Sequence, residues 1–112
     1  MTLLISMQKK KLGILLSTPP DHPNLTTVTR LCEEGLHADV DVYLYLIDEG
    51  VKNLNDGRLL ALSKTGMKVF ACAYGCQQQA VSTSNLDPTI QLCGLVVLSN
   101  IVNGCDRFVA FN

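Results

Sequence analysis

Apolar residues fall in short, nearly continuous runs separated by segments where they recur every three or four positions. The first run, Leu12-Gly13-Ile14-Leu15-Leu16-Ser17, stops at Thr18-Pro19-Pro20 and predicts a strand buried on both faces. After the loop Pro19-Pro20-Asp21-His22, Pro23 suits a first helical turn. Leu25, Val28, Leu31 and Cys32 then keep helical spacing as far as Gly35, where a C-terminal stop is expected. Val40 to Ile47 is rich in Val, Tyr, Leu and Ile and closes in Asp48-Glu49-Gly50, which reads as a second strand and its turn. Asn55 or Asp56 can cap a helix that turns Leu59, Leu60 and Leu62 toward the sheet, with Gly66 just past its end. Lys68 to Ala73 makes the third strand. Ser82 to Pro88 is a polar loop, and the stretch around Ile90 can add a fourth strand. Leu95, Leu98, Ile101 and Val102 mark a last helix ending at Gly104, and Arg107 to Phe111 gives a final strand.

Strand and helix therefore alternate throughout. Parallel neighbours require crossover connections, so the expected fold is α/β, a three-layer α/β/α sandwich on a mainly parallel sheet of about five strands. A chain of 112 residues is expected to form a single domain, with residues 1–10 as an N-terminal extension.

Composition narrows the chemistry. Apolar residues make up 47% of the chain and aromatics 5%, with no Trp, so the core must be built from aliphatic side chains. The net charge is −1 and the one basic cluster is Lys9-Lys10-Lys11, which argues against a nucleic-acid partner. Met1 to Met7 is apolar but shorter than a secretory h-region, and its positive charges follow rather than precede it. No run approaches the roughly 20 apolar residues of a membrane span. The expectation is a cytoplasmic protein with no membrane association. The five cysteines, an odd number at irregular spacing, fit free thiols better than a disulfide framework. Cys72 and Cys76 have no second ligand pair and no His nearby in sequence, so neither a metal nor an organic cofactor is expected. Dinucleotide, P-loop and serine-hydrolase motifs do not occur.

In a parallel α/β sheet, reactive groups gather in loops at the carboxyl ends of the strands. Three such loops are candidates: Ser17 to Asn24, Asp48 to Asn55, and Cys72 to Gln79. The third alone carries a group with intrinsic covalent reactivity. From the residues alone, Cys72 is either a small core residue at a strand end or a reactive thiol, and its environment decides which. If the segment after it opens a helix, free backbone N–H groups point at the sulfur and Cys76 shares its face. Cys32, Cys93 and Cys105 occupy apolar positions and read as packing residues. His22 and His37 read as exposed, with His22 close enough in the loop order to border Cys72 as a proton acceptor. Asp48 and Glu49 read as turn residues, and Tyr43 and Tyr45 as one strand face in contact with a helix or a neighbouring subunit.

Val69-Phe70-Ala71-Cys72-Ala73 closes the third strand, and Asp48-Glu49-Gly50-Val51 follows the second. Further on stand Ser84-Asn85-Leu86, Leu92-Cys93-Gly94-Leu95 and Cys105-Asp106-Arg107-Phe108-Val109-Ala110-Phe111. In their order and spacing these stretches together resemble the DsrE/DsrF-like family of sulfur-relay proteins. The resemblance implies a compact α/β/α domain that assembles into homo-oligomers and carries sulfur as a persulfide, with Cys72 at the sulfur-carrying position. The implied partners are a sulfur-donor and a sulfur-acceptor protein, and Cys76 is a second candidate site residue. Where TusD-like members have basic residues after the cysteine, this chain has Gln77-Gln78-Gln79. Two alternatives accompany the sulfurtransferase reading: a non-catalytic oligomeric or regulatory module, and a redox sensor using Cys72 and Cys76 as a reversible pair.

Overall fold

The structure, a computed structural model, describes residues 9–112, so the N-terminal extension lies outside the described residues except for Lys9 and Lys10. Five strands, β1 (Lys11–Leu16), β2 (Asp41–Leu46), β3 (Lys68–Cys72), β4 (Ile90–Cys93) and β5 (Arg107–Phe111), form one sheet in the order β4-β3-β2-β1-β5. Every pairing is parallel. The connections are α1 (Asn24–His37), a 3-10 turn (Asp48–Asn53) leading into α2 (Gly57–Lys64), a short α3 (Ala73–Gln78), and α4 (Leu95–Gly104).

This order explains the layers. From β1 to β4 each strand is added on the same side of the last, so right-handed crossovers place their helices on one face. The β4 to β5 connection returns across the whole sheet and puts α4 on the other. Ile14, Leu16, Val42, Leu44, Leu46, Val69 and Ala71 point at the first face and are buried beneath α1, the 3-10 turn and α2. The second face holds Gly13, Tyr43, Tyr45 and Phe70, covered among the described residues by α4. Here Gly13 matters: an added Cβ would stand 2.8 Å from Phe108 Cδ1 and 2.9 Å from Ile101 Cγ2, so its absence lets α4 sit close.

Several boundaries differ from the sequence reading, each for a physical reason. The stop expected at Gly35 does not occur, because α1 runs on to His37. Gly35 instead brings the helix onto the sheet, where a Cβ would lie 3.0 Å from Val42 Cγ2. The chain turns at Asp39, with φ 63°, while the Ala38 and Asp39 amides donate to Glu34 and Leu36 carbonyls. Of the two candidate caps for α2, Asp56 takes the role: its Oδ1 accepts from Arg58 N at 3.0 Å and Leu59 N at 3.3 Å. Of the expected inward trio, Leu59 is buried and Leu60 and Leu62 pack half-buried against the core, while Ser63, one turn after Leu59, is buried as well. Ser63 is tolerated there because its hydroxyl bonds the Leu60 carbonyl and Thr89 Oγ1, both at 2.8 Å. In α4 Ile101 is the one fully buried residue; Leu95 and Val102 are exposed because no further layer covers the helix's outer side.

Candidate functional site

The loops after β3 and β4 leave the sheet toward opposite faces, which opens the crevice where α/β proteins place their ligands. After β3 the chain folds toward α2, as the Ser63–Thr89 contact marks, whereas after β4 it enters α4. Cys72 ends β3 and Cys93 ends β4, and the two are register partners. In parallel strands such partners project to the same face, here the face shared with Tyr45 and Phe70. The third strand thus ends one residue earlier than expected, and Ala73 opens α3.

Cys72 is both the last strand residue and the N-cap of α3, with extended backbone angles, φ −66° and ψ 116°. Its Sγ accepts a hydrogen bond from Gly75 N at 3.4 Å. Gly75 makes that approach sterically feasible. A Cβ there would lie 3.2 Å from Val51 Cγ1 and 3.4 Å from both Asp48 N and Cys72 Cβ. The 3-10 turn therefore acts as a floor under the first turn of α3. Its entry residue Asp48 holds φ 51°, the left-handed region that Asp tolerates better than most residues. Gly50 presses directly on the carbonyl of Leu16 at the end of β1. Asn53 pins the turn by donating to the Thr18 and Gly50 carbonyls, both at 2.9 Å.

Around Cys72 stand two further thiols and a phenol. Cys76, buried on α3, has its thiol pushed up by burial and then by the neighbouring Cys72. Cys93 is half-buried; its Sγ lies 3.8 Å from the Ala71 carbonyl oxygen. Burial raises the Cys93 thiol, and the Tyr45 hydroxyl acts in the opposite sense by stabilising its anion. Tyr45 is fully buried and donates to the Gly94 carbonyl at 2.9 Å, tying β2 to the entrance of α4. Burial and then the adjacent Cys93 and Cys72 sulfurs hold its phenol well above the ordinary value. The sequence-predicted pair Cys72 and Cys76 is therefore brought together. Cys93 and Tyr45 join it, although the sequence offered Cys93 as packing alone.

His22 does not join this group: its Nδ1 accepts from Asn24 N at 3.0 Å beside α1, two strands away from β3. His37 ends α1. Cys32 is sealed under α1, and Cys105 lies below α4 against Gly13. Cys72 itself is 5% exposed. Exposed apolar residues lie close along the chain: Tyr74, two residues after Cys72, is 69% exposed, and Leu95 and Val96, just after Cys93, are 61% and 75% exposed. Among the described residues, no group of three or more His, Cys, Asp or Glu side chains is arranged to hold a metal ion. No helix among them is long and apolar enough to cross a membrane.

A profile of the DsrE/DsrF-like family matches residues 10–111. The chain belongs to that family. The family is associated with sulfur relay. No curated protein matches the sequence. Among solved structures, the fold is similar to the ychN protein of E. coli, with a TM-score of 0.77 at 18% identity over 93% of this chain and 100% of that one. It is also similar to a protein of unknown function, MTH1491, from Methanobacterium thermoautotrophicum, with a TM-score of 0.70 at 15% identity over 90% of this chain and 99% of that one. BT1422 from Bacteroides thetaiotaomicron gives 0.68 at 18% identity, over 91% and 95%. At these identities the likeness is one of fold, and the DsrE-type three-layer architecture is what these chains share.

Proposed function

We propose that this DsrE-family protein is a sulfur carrier that holds sulfur as a persulfide on Cys72 and passes it to a cysteine of a partner protein. The observation that carries this reading is the placement of Cys72 Sγ at the carboxyl end of β3, accepting the Gly75 N–H. That placement sets a thiol at the strand end where parallel α/β sheets gather their reactive groups. In the loading step the Cys72 thiolate attacks the outer sulfur of a donor persulfide, a new S–S bond forms, and the donor cysteine leaves as thiolate. In the unloading step an acceptor thiolate attacks that outer sulfur and Cys72 departs as thiolate. No metal or organic cofactor enters either step.

Because Cys72 is almost covered, loading requires α3, a six-residue helix, to tip away from the 3-10 turn as the donor docks. Exposed Tyr74 next to Cys72 supports docking of a protein surface there, and exposed Leu95, Val96 and Val102 on α4 support assembly into homo-oligomers. The three glutamines after Cys76 supply no charge, so recognition rests on shape and apolar contact rather than on a basic patch.

The test is intact-mass measurement after incubation with a persulfide donor such as glutathione persulfide. One labile added sulfur is expected on the wild type and on Cys76→Ser, and none on Cys72→Ser. A wild-type protein that stays unmodified would overturn the carrier role. The burial of Cys72 favours a second reading, a non-catalytic oligomeric module of the same fold, and that outcome would support it.

A further inference from the structure

Cys93 packs against the core yet holds a position that its packing alone does not use up. It closes an edge strand, is half-buried rather than sealed, and stands in register with Cys72 on the neighbouring strand. Adjacent parallel strands lie about 4.8 Å apart, and disulfides span Cα separations of about 4.4–6.8 Å. The two side chains project to the same face, so a bond between their sulfurs asks for no change of strand register. Cys76 is different: it is 2% exposed inside α3, four residues along the chain from Cys72 rather than beside it on a neighbouring strand.

Tyr45 adds a second, independent observation. Its hydroxyl is buried beside both the Cys72 and Cys93 sulfurs and carries a single proton, given at rest to the Gly94 carbonyl. Gly94 directly follows Cys93. A rotation of that O–H toward sulfur exchanges one acceptor for another at the same location, so an anion formed on Cys93 has a donor already in place.

We infer that Cys93 is an intramolecular resolving thiol, which attacks Cys72 Sγ when Cys72 carries a persulfide and releases the outer sulfur as hydrosulfide. This step rests on the carrier reading of Cys72. The Cys93 thiolate forms a bond to Cys72 Sγ while the bond from that sulfur to the outer sulfur breaks. The products are a Cys72–Cys93 disulfide and HS⁻. The outer sulfur gains two electrons, and the two cysteine sulfurs lose one each. The outer sulfur keeps its own proton, so no further reactant enters. A dithiol reductant is then needed to restore both thiols. The reaction class is reductive discharge of a persulfide. It confers a limit on how long sulfur stays on the protein when no acceptor arrives.

The experiment loads the full chain with glutathione persulfide, removes the excess by rapid desalting, and follows intact mass and free sulfide together. The wild type is expected to lose its added sulfur, to release an equal amount of sulfide, and to end two hydrogens lighter. Peptide mapping should place the new disulfide between Cys72 and Cys93. Cys93→Ser is expected to load normally, keep the sulfur, and release no sulfide without an external thiol. If the wild type keeps its sulfur as long as Cys93→Ser does, or if the crosslink maps to Cys72 and Cys76, the resolving role is refuted while the carrier role stands. If neither protein loads, the carrier role fails. Mild oxidation of the unloaded protein with diamide then decides the pairing alone: a Cys72–Cys93 crosslink upholds the geometric argument, and none overturns it.

Discussion

Replacing Gly50 with alanine tests the contact on which the site is built. An added Cβ would overlap the Leu16 carbonyl oxygen and lie 2.7 Å from its carbonyl carbon and 3.1 Å from Ser17 Cα. All three are backbone atoms of the strand end, so no side chain can rotate away. The 3-10 turn must lift instead. Overpacking of this kind costs about 1–3 kcal/mol, and a backbone clash belongs at the upper end. Lifting the turn also weakens the two hydrogen bonds from Asn53 to Thr18 and Gly50, each worth about 1 kcal/mol. The reduced freedom of the unfolded chain returns about 0.4–1 kcal/mol, leaving a net destabilisation of about 3 kcal/mol or more. At about 4 °C per kcal/mol for a chain of this size, the melting midpoint should fall by about 12 °C. Far-ultraviolet circular dichroism during heating, with urea titration at fixed temperature, measures it. Gly57→Ala is the control, since a Cβ there meets nothing within 4 Å and the position is helical. The reasoning is refuted if Gly50→Ala melts within about 2 °C of the wild type.

Four further outcomes follow from the same structure. Tyr45→Phe removes one of the hydrogen bonds to the Gly94 carbonyl and should cost about 1 kcal/mol. It also removes the group that favours the Cys93 anion, so the pH at which Cys93 becomes alkylated should rise, as read by mass spectrometry of the labelled peptide. Asp56→Ala removes the cap from Arg58 N and Leu59 N and should lower stability by about 1 kcal/mol in urea titration, with Asp56→Asn recovering most of it. Burial, and then Glu33, push the Cys32 thiol from 9.0 to about 12. The unfolded chain loses that proton first, so its contribution to stability is complete below pH 9 and declines toward pH 12. The loss is on the order of 4 kcal/mol; Cys32→Ala should be less stable at neutral pH but show a flatter alkaline limb. Finally, the pair Leu95→Glu and Val96→Glu should leave the fold intact by circular dichroism and shift light scattering toward the monomer; an unchanged mass would remove these residues from the assembly surface.

The strands were legible because each apolar run ends in its own turn chemistry, as Leu12 to Leu16 does before Thr18-Pro19-Pro20. Helix limits were less so. Gly35 has the composition of a stop, yet its missing side chain serves close packing on Val42, a demand set by a strand that comes later in the chain. The 3-10 turn at Asp48–Asn53 escaped because six residues without helical periodicity look like any loop. Cys72 stood out through its place at a strand end and the family resemblance. Cys93 did not, since its nearness to Cys72 depends on which strands are neighbours and in what register. Neither is written in a local pattern. Tyr45 was assigned to the correct face, but its hydrogen bond to Gly94 joins residues 49 positions apart.

The placement of β5 beside β1 has a consequence for how the protein is made. Lys11 and Asp106 exchange backbone and side-chain hydrogen bonds, and Ser17 donates to Phe111, so contacts across 94 or 95 positions add the last edge strand of the sheet. During synthesis the first four strands can assemble while β1 still presents a bare hydrogen-bonding edge, the kind of edge to which a foreign strand readily adds. Closing so long a loop is slow. A ribosome that pauses before Arg107, or a protease that removes β5, would therefore leave a nearly finished molecule with β1 as a bare edge open to pairing with its neighbours.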